Sequence, residues 1–133
     1  MARETLRVMK TPKNMDIDIT NRCNLRCRYC SHFTSAGDVA QDLSTDEWLT
    51  FFEELAECSV MTATLAGGEP FIREDFEILI NGIVRNKMRF SILSNGTLIT
   101  EELARFLKST GRCNHVQVSI DGPGPESHDV FRG

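Results

Sequence analysis

Residues 15–30 read Met15-Asp16-Ile17-Asp18-Ile19-Thr20-Asn21-Arg22-Cys23-Asn24-Leu25-Arg26-Cys27-Arg28-Tyr29-Cys30. Over the first six positions apolar Met15, Ile17 and Ile19 alternate with Asp16, Asp18 and Thr20, the period of a strand with two unlike faces. Pro12 and Asn14 mark its start. The strand then gives way to a loop with Cys23, Cys27 and Cys30 inside eight positions. Thiols set so closely do not form a disulfide framework and are typical of a metal site. Soft thiolates suit zinc or an iron-sulfur cluster. With His32 as fourth ligand the set reads as a Cys₃His zinc site. With the three cysteines alone it holds a cluster that keeps one iron open for a small molecule. The residues by themselves leave both readings standing.

The loop continues through Ser35, Gly37 and Asp38 to Leu43-Ser44-Thr45-Asp46-Glu47-Trp48, where a helix begins. Ser44 and Glu47 have the spacing of a capping box, and Leu43 and Trp48 that of a hydrophobic staple. The helix runs to about Glu57 and buries Trp48, Phe51, Phe52 and Leu55. Val60 to Ala66 is a second strand, ending in Gly67-Gly68-Glu69-Pro70, and Asp75 to about Arg85 a second helix with the stripe Phe76, Leu79, Ile80 and Ile83. Arg89 to Leu93 is a third strand, closed by the turn chemistry of Ser94-Asn95-Gly96-Thr97. Thr100 caps a third helix over Glu101 to Lys108, with Leu103, Phe106 and Leu107 inward. His115 to Ile120 is the fourth strand, and Asp121-Gly122-Pro123-Gly124-Pro125 breaks the pattern.

Strand and helix alternating at roughly 30-residue spacing predict parallel strands joined by right-handed crossovers, an α/β fold. In an open doubly wound sheet both strand faces are apolar. Here Asp16 and Asp18, and later Gln117 and Ser119, make one face polar, which suits a barrel lumen. Such folds work at the C-terminal ends of their strands. Those ends hold the cysteine loop, Gly-Gly-Glu-Pro, Ser-Asn-Gly-Thr and Ser119-Ile120-Asp121-Gly122.

Composition bounds the function. The chain has 133 residues, 41% hydrophobic and 26% charged, which excludes disorder and collagen. Fifteen basic and nineteen acidic residues give a net charge of -4 and no pull toward nucleic acid or anionic lipid. No run approaches the ~20 apolar residues of a spanning helix, and Met1 to Lys10 lacks the apolar core of a signal peptide. The expectation is a cytoplasmic protein with neither a membrane nor a nucleic-acid partner. Cys58 and Cys113 read as small buried hydrophobes. Asp16 and Asp18 line the lumen near substrate or form a solvated strand face, and His115 receives no role.

Cys-x-x-x-Cys-x-aromatic-Cys on a loop after the first strand resembles the signature of the radical S-adenosylmethionine (radical SAM) superfamily. The resemblance implies a 4Fe-4S cluster on Cys23, Cys27 and Cys30 whose fourth iron is chelated by S-adenosylmethionine (SAM). One electron then cleaves the sulfonium and yields a 5′-deoxyadenosyl radical that abstracts hydrogen from substrate. By the same resemblance Tyr29 lies against the adenine, and Gly67, Gly68, Glu69 and Pro70 bind the amino group of SAM. The glycines let backbone carbonyls approach an ammonium, and Glu69 adds negative charge. Ser94 and Asn95 close the third strand as in many members. Ser119-Ile120-Asp121-Gly122 followed by His128-Asp129-Val130-Phe131-Arg132-Gly133 is similar to the peptide-modifying and sulfatase-maturing members, which carry SPASM or twitch extensions. There the matching serine and arginine contact the SAM carboxylate or ribose, the role this gives Ser119 and Arg132. Asp121 binds ribose or caps the turn.

The implied activity is an oxidoreductase-type modification of a peptide or protein side chain, reduced by a flavodoxin or ferredoxin. A haem or metallo-cofactor maturase is the sister reading, and a non-catalytic Cys₃His zinc module is the reading from another class. A full (β/α)₈ barrel takes about 250 residues, some 31 per unit. Residues 1–14 are then a lead-in and 15–133 about four units of the family's six-stranded partial barrel. The expectation is a partial chain, inactive alone or completed by self-association.

Overall fold

The computed structural model describes residues 10–30 and 41–132. His32, Ser35, Gly37, Asp38 and Gly133 lie outside the described residues. The elements are β1 (Asn14–Thr20), α1 (Thr45–Glu57), β2 (Thr62–Gly67), a 3₁₀ turn (Pro70–Ile72), α2 (Phe76–Arg85), β3 (Arg89–Ser94), α3 (Glu101–Ser109), β4 (Cys113–Val118) and α4 (Pro125–Arg132). No helix among the described residues is long and apolar enough to cross a membrane.

The strands form one parallel sheet in the order β1-β2-β3-β4. A doubly wound sheet reverses its order at a switch point. This one advances in a single direction, so right-handed crossovers bring α1, α2 and α3 to the same face, as in a barrel wall. Burial follows from that. Ile17 and Ile19 of β1, Leu65 of β2 and Phe90 and Ile92 of β3 form the core with Trp48, Phe52 and Leu55 of α1 and the Phe76, Leu79, Ile80, Ile83 stripe of α2. On the other face the register sets Asp16 beside Thr64 and Thr64 beside Ser91, and Asp16 and Asp18 are exposed.

Local chemistry sets the helix starts. Ser44 Oγ accepts from Glu47 N at 3.3 Å and Glu47 Oε2 accepts from Ser44 N at 2.8 Å, the expected reciprocal cap. Thr100 Oγ1 accepts from Leu103 N at 3.1 Å.

The structure differs from the sequence pattern in several places, beginning with β2, which starts at Thr62 rather than Val60, and Phe51, which is only partly buried. β4 starts and ends two residues early, because a register shift pairs Phe90 with Cys113 but Ile92 with Val116, and the extra residue breaks the alternation. The Asp121–Pro125 break leads into α4, with Pro125 as its first residue and the Gly124 carbonyl accepting from Ser127 N and His128 N at 3.1 and 2.9 Å. Cys58 is not a buried hydrophobe: it caps the C-terminus of α1 and is exposed, while Cys113 is half-buried and burial pushes its thiol up.

Arg73, just past the 3₁₀ turn, is buried and ties three elements together. Its guanidinium donates to Asp75 (Nε to Oδ1 2.8 Å, Nη2 to Oδ2 2.7 Å), to Ile19 O at the tip of β1 (2.9 Å) and to Leu43 O before α1 (3.2 Å). It lies 3.6 Å from Asp42, which accepts from Thr20 Oγ1 at 2.6 Å and Asn21 N at 2.8 Å. The Arg73 guanidinium holds the Asp75 carboxyl below the usual range; burial opposes this and the Thr45 hydroxyl reinforces it. At Asp42 burial pushes upward but is outweighed by the hydrogen bonds from Thr20, Asn21 and Arg22.

Asp75→Ala leaves this buried guanidinium without its main partner and should cost roughly 3 kcal/mol at pH 7 in urea unfolding. Because the folded carboxyl is held low, its contribution is fully present above the ordinary range near ~4 and is lost as pH falls through the folded value. The gap between parent and variant should therefore narrow below about pH 4. A gap that stays constant down to about pH 3 would show that charge pairing is not its source.

Candidate functional site

At the C-terminal ends of the strands lies a cavity of about 220 Å³. Cys23, Cys27 and Cys30 line it from the loop after β1. Gly67 and Gly68 reach it from β2, Ser94 and Asn95 from β3, Ser119 from beyond β4 and Arg132 from α4. Residues up to 109 positions apart in the chain (Cys23 to Arg132) thus meet at one opening. Tyr29, Glu69, Pro70 and Asp121 are not among its lining residues.

The cysteine loop is held by backbone. Thr20 O accepts from Gly68 N at 2.9 Å and Arg22 O from Glu69 N at 2.9 Å. A Cβ on Gly67 would fall 2.3 Å from Thr20 O, and one on Gly68 2.2 Å from Arg22 O. Gly67 also has φ +123, a conformation that side chains rarely adopt. The two glycines therefore bring the loop against β2, a close approach of chain to chain where sequence alone suggests chain to ligand.

Glu69 is fully buried. Its Oε1 accepts from Ser94 Oγ at 3.0 Å and Phe71 N at 3.2 Å, and its Oε2 from Asn95 N at 2.8 Å. The carboxylate joins the tips of β2 and β3. Above it Asn95 Nδ2 donates to Asn24 Oδ1 at 2.9 Å and lies 3.9 Å from Cys23 Sγ, while its Oδ1 accepts from Thr97 N at 2.9 Å. Asn24 Nδ2 completes the network on Thr97 Oγ1 at 2.8 Å. Sequence reasoning missed Asp42 and Arg73 and gave no role of their own to Asn24 and Thr97, although the first lies between two motif cysteines and the second in the Ser94-Asn95-Gly96-Thr97 turn.

Tyr29, Asp121 and Arg132 come together. The Tyr29 hydroxyl and Arg132 Nε both donate to Asp121 Oδ2, and the guanidinium carbon lies 5.6 Å from the centre of the Tyr29 ring. The Tyr29 phenol, and after it Arg132, hold the Asp121 carboxyl low, and the carboxylate in turn pushes the phenol up.

Among the described residues no three Cys, His, Asp or Glu side chains converge closely enough to hold one metal ion. A cluster spreads its cysteines over several irons, so thiols lining a cavity suit it better than a single ion. N–H groups beside a ligating sulfur are a further part of such sites, and Cys23 Sγ has Leu25 N at 3.5 Å besides Asn95.

The family model described as the radical SAM superfamily matches residues 17–133. The chain is 37% identical over 123 residues to an AdoMet-dependent heme synthase of Methanosarcina barkeri, covering 92% of this chain and 35% of that protein. It is 33% identical over 129 residues to a PqqA peptide cyclase of Rhizobium meliloti, covering 97% and 34%. The chain thus spans about a third of the length of these curated relatives. Streptococcus suis SuiB, in a structure bound to precursor peptide SuiA, matches in fold with TM-score 0.80 at 19% identity over 95% of this chain and 28% of that one. The protein anSMEcpe, solved with bound AdoMet, gives TM-score 0.72 at 27% identity over 91% and 35%.

Glu69→Gln turns an amide NH₂ toward donors that now meet a carboxylate oxygen. It should cost about 1–3 kcal/mol in urea unfolding of the protein without cofactor. Unchanged stability would mean that the carboxylate does not hold the two tips.

Proposed function

This chain belongs to the radical SAM superfamily, and on that premise we propose that residues 15–133 hold the cluster and cofactor of an enzyme that modifies a peptide or protein side chain. Cys23, Cys27 and Cys30 bind a 4Fe-4S cluster and the adjoining cavity takes SAM. The observation that carries this reading is the meeting of three thiols, two tip glycines, Ser119 and Arg132 at one cavity. When bound, the cluster supplies the electron that cleaves SAM and so starts hydrogen abstraction from the substrate.

The chain's own residues bind, orient and exclude water. Arg132 is the one charged side chain among the described residues that line the cavity, and a guanidinium fork suits the carboxylate of SAM. Ser119 lines the same cavity and supplies a second polar contact in this reading. At the β2 tip a ligand ammonium meets backbone at Gly67 and Gly68, while Glu69 stays below and fixes the tips. Leu25, Ala66 and Leu93 give the cavity apolar wall. Tyr29 stands beside the adenine end, and Asp16 and Asp18 face the lumen where substrate enters.

PqqA peptide cyclases among the relatives, and a structural neighbour bound to its precursor peptide, support a peptide substrate. The donor in this reading is a reducing protein of the flavodoxin or ferredoxin type. A second reading, maturation of a haem, is favoured by heme synthases among the relatives at 35–37% identity.

Anaerobic reconstitution should give a brown protein with about four irons and four sulfides. Cys23→Ala, Cys27→Ala and Cys30→Ala should each lose both the cluster and SAM cleavage. Stoichiometric zinc with no visible absorbance would overturn the reading in favour of the zinc module. Titration of the loaded protein with a porphyrin separates the two substrates: a shifted Soret band supports the haem reading, and none is expected for a peptide enzyme.

A further inference from the structure

The contact between α4 and the cysteine loop is built from several unlike interactions. Arg28 N donates to Phe131 O at 2.9 Å, and the Tyr29 and Phe131 rings lie 6.5 Å apart. The Tyr29 hydroxyl and Arg132 Nε converge on one oxygen of Asp121, and Asp121 N donates to His128 Nδ1 at 3.3 Å. Asp121 follows the tip of β4, so this carboxylate joins three segments: the β4 tip, the cysteine loop and α4.

Asp121 does not line the cavity; Arg132, which it holds, does. A guanidinium has five N–H donors in a fixed plane. Fastening Nε to a carboxylate, with the Tyr29 ring 5.6 Å from the guanidinium carbon, restricts that plane and leaves the Nη groups, which have no hydrogen-bond partner among the described residues, for another acceptor. The Arg132 side chain is only 14% exposed, so its reach is confined to the cavity side.

We infer that Asp121 is a positioning residue rather than a ribose ligand. Its carboxylate sets the Arg132 guanidinium at the cavity wall and locks α4 onto the cysteine loop before any ligand arrives. This rests on the reading of Arg132 as the contact for the SAM carboxylate.

Two measurements test it in the whole protein. The first is a double-mutant cycle on SAM binding to the cluster-loaded form. Asp121→Ala should weaken SAM by about tenfold, and in an Arg132→Ala background it should have little further effect. Losses that add would show that Asp121 touches the ligand itself and would overturn the inference. The second uses hydrogen exchange without cluster or SAM. Protection of the Arg28 amide should fall in Asp121→Ala, fall less in Tyr29→Phe, which removes one of the two donors, and be partly restored in Asp121→Asn, which keeps an acceptor oxygen. Unchanged Arg28 protection in Asp121→Ala overturns the inference. If the parent binds no SAM, the functional reading fails and the exchange experiment still decides the role of Asp121.

Discussion

Two backbone hydrogen bonds across side-chain-free ground govern this structure. The cysteine loop has little apolar surface to bury, so hydrophobic packing cannot place it. It is placed instead by Thr20 O and Arg22 O, which accept from Gly68 N and Glu69 N at the end of β2. The register shift that brings Thr20 beside Gly67 turns the end of β1 across the β2 tip. Each bond contributes on the order of 1 kcal/mol, but both require the 2.2–2.3 Å around Gly67 and Gly68 that a Cβ would occupy. With side chains there the loop would move outward, and with it all three thiols.

The strand tips need more than these bonds. A parallel strand that ends at a cavity leaves N–H and C=O groups without ladder partners, and buried groups of that kind must be satisfied. Charged side chains satisfy several at once. Arg73 holds Ile19 O at the β1 tip, Glu69 takes Asn95 N at the β3 tip, and Asp121 reaches from the β4 tip to α4 and the loop. Burying Arg73 and Glu69 carries a desolvation penalty, so their gain is in specifying geometry more than in net stability. The single-direction sheet makes this effective, because all four tips lie side by side on one rim.

The same division explains what could be read from the sequence. Helix stripes, caps and the polar face of β1 are local periodicities, and they appear as read: Ser44 with Glu47, the α2 stripe, exposed Asp16 and Asp18. The cavity-lining residues are legible because their residue types and spacing are unusual. Direction is not legible. Nothing in Gly67-Gly68-Glu69-Pro70 says that the carboxylate accepts from Phe71, Ser94 and Asn95, two of them at the tip of another strand. The β4 register was hidden by the irregular pairing between Phe90 and Ile92. α4 was hidden by prolines and glycines that read as a break, although a proline at the first helical position is itself a start signal.

The burial of Glu69 among its three donors also bears on the polarity of the cavity. A carboxylate in the same small space as Arg132 would pair with it and occupy the donors that a ligand carboxylate needs. Glu69 is instead engaged by three donors, and Asp121 engages Arg132 through Nε. The negative charges that organise the site are thus kept one layer back from it. What lines the cavity is Arg132 from α4 together with the three thiols and Gly67 and Gly68 at the end of β2. The cavity's one charged side chain among the described residues and its glycine-lined part thus come from different elements, Arg132 from α4 and Gly67 and Gly68 from the end of β2, and only the closing of the loop and α4 onto the strand tips brings them together.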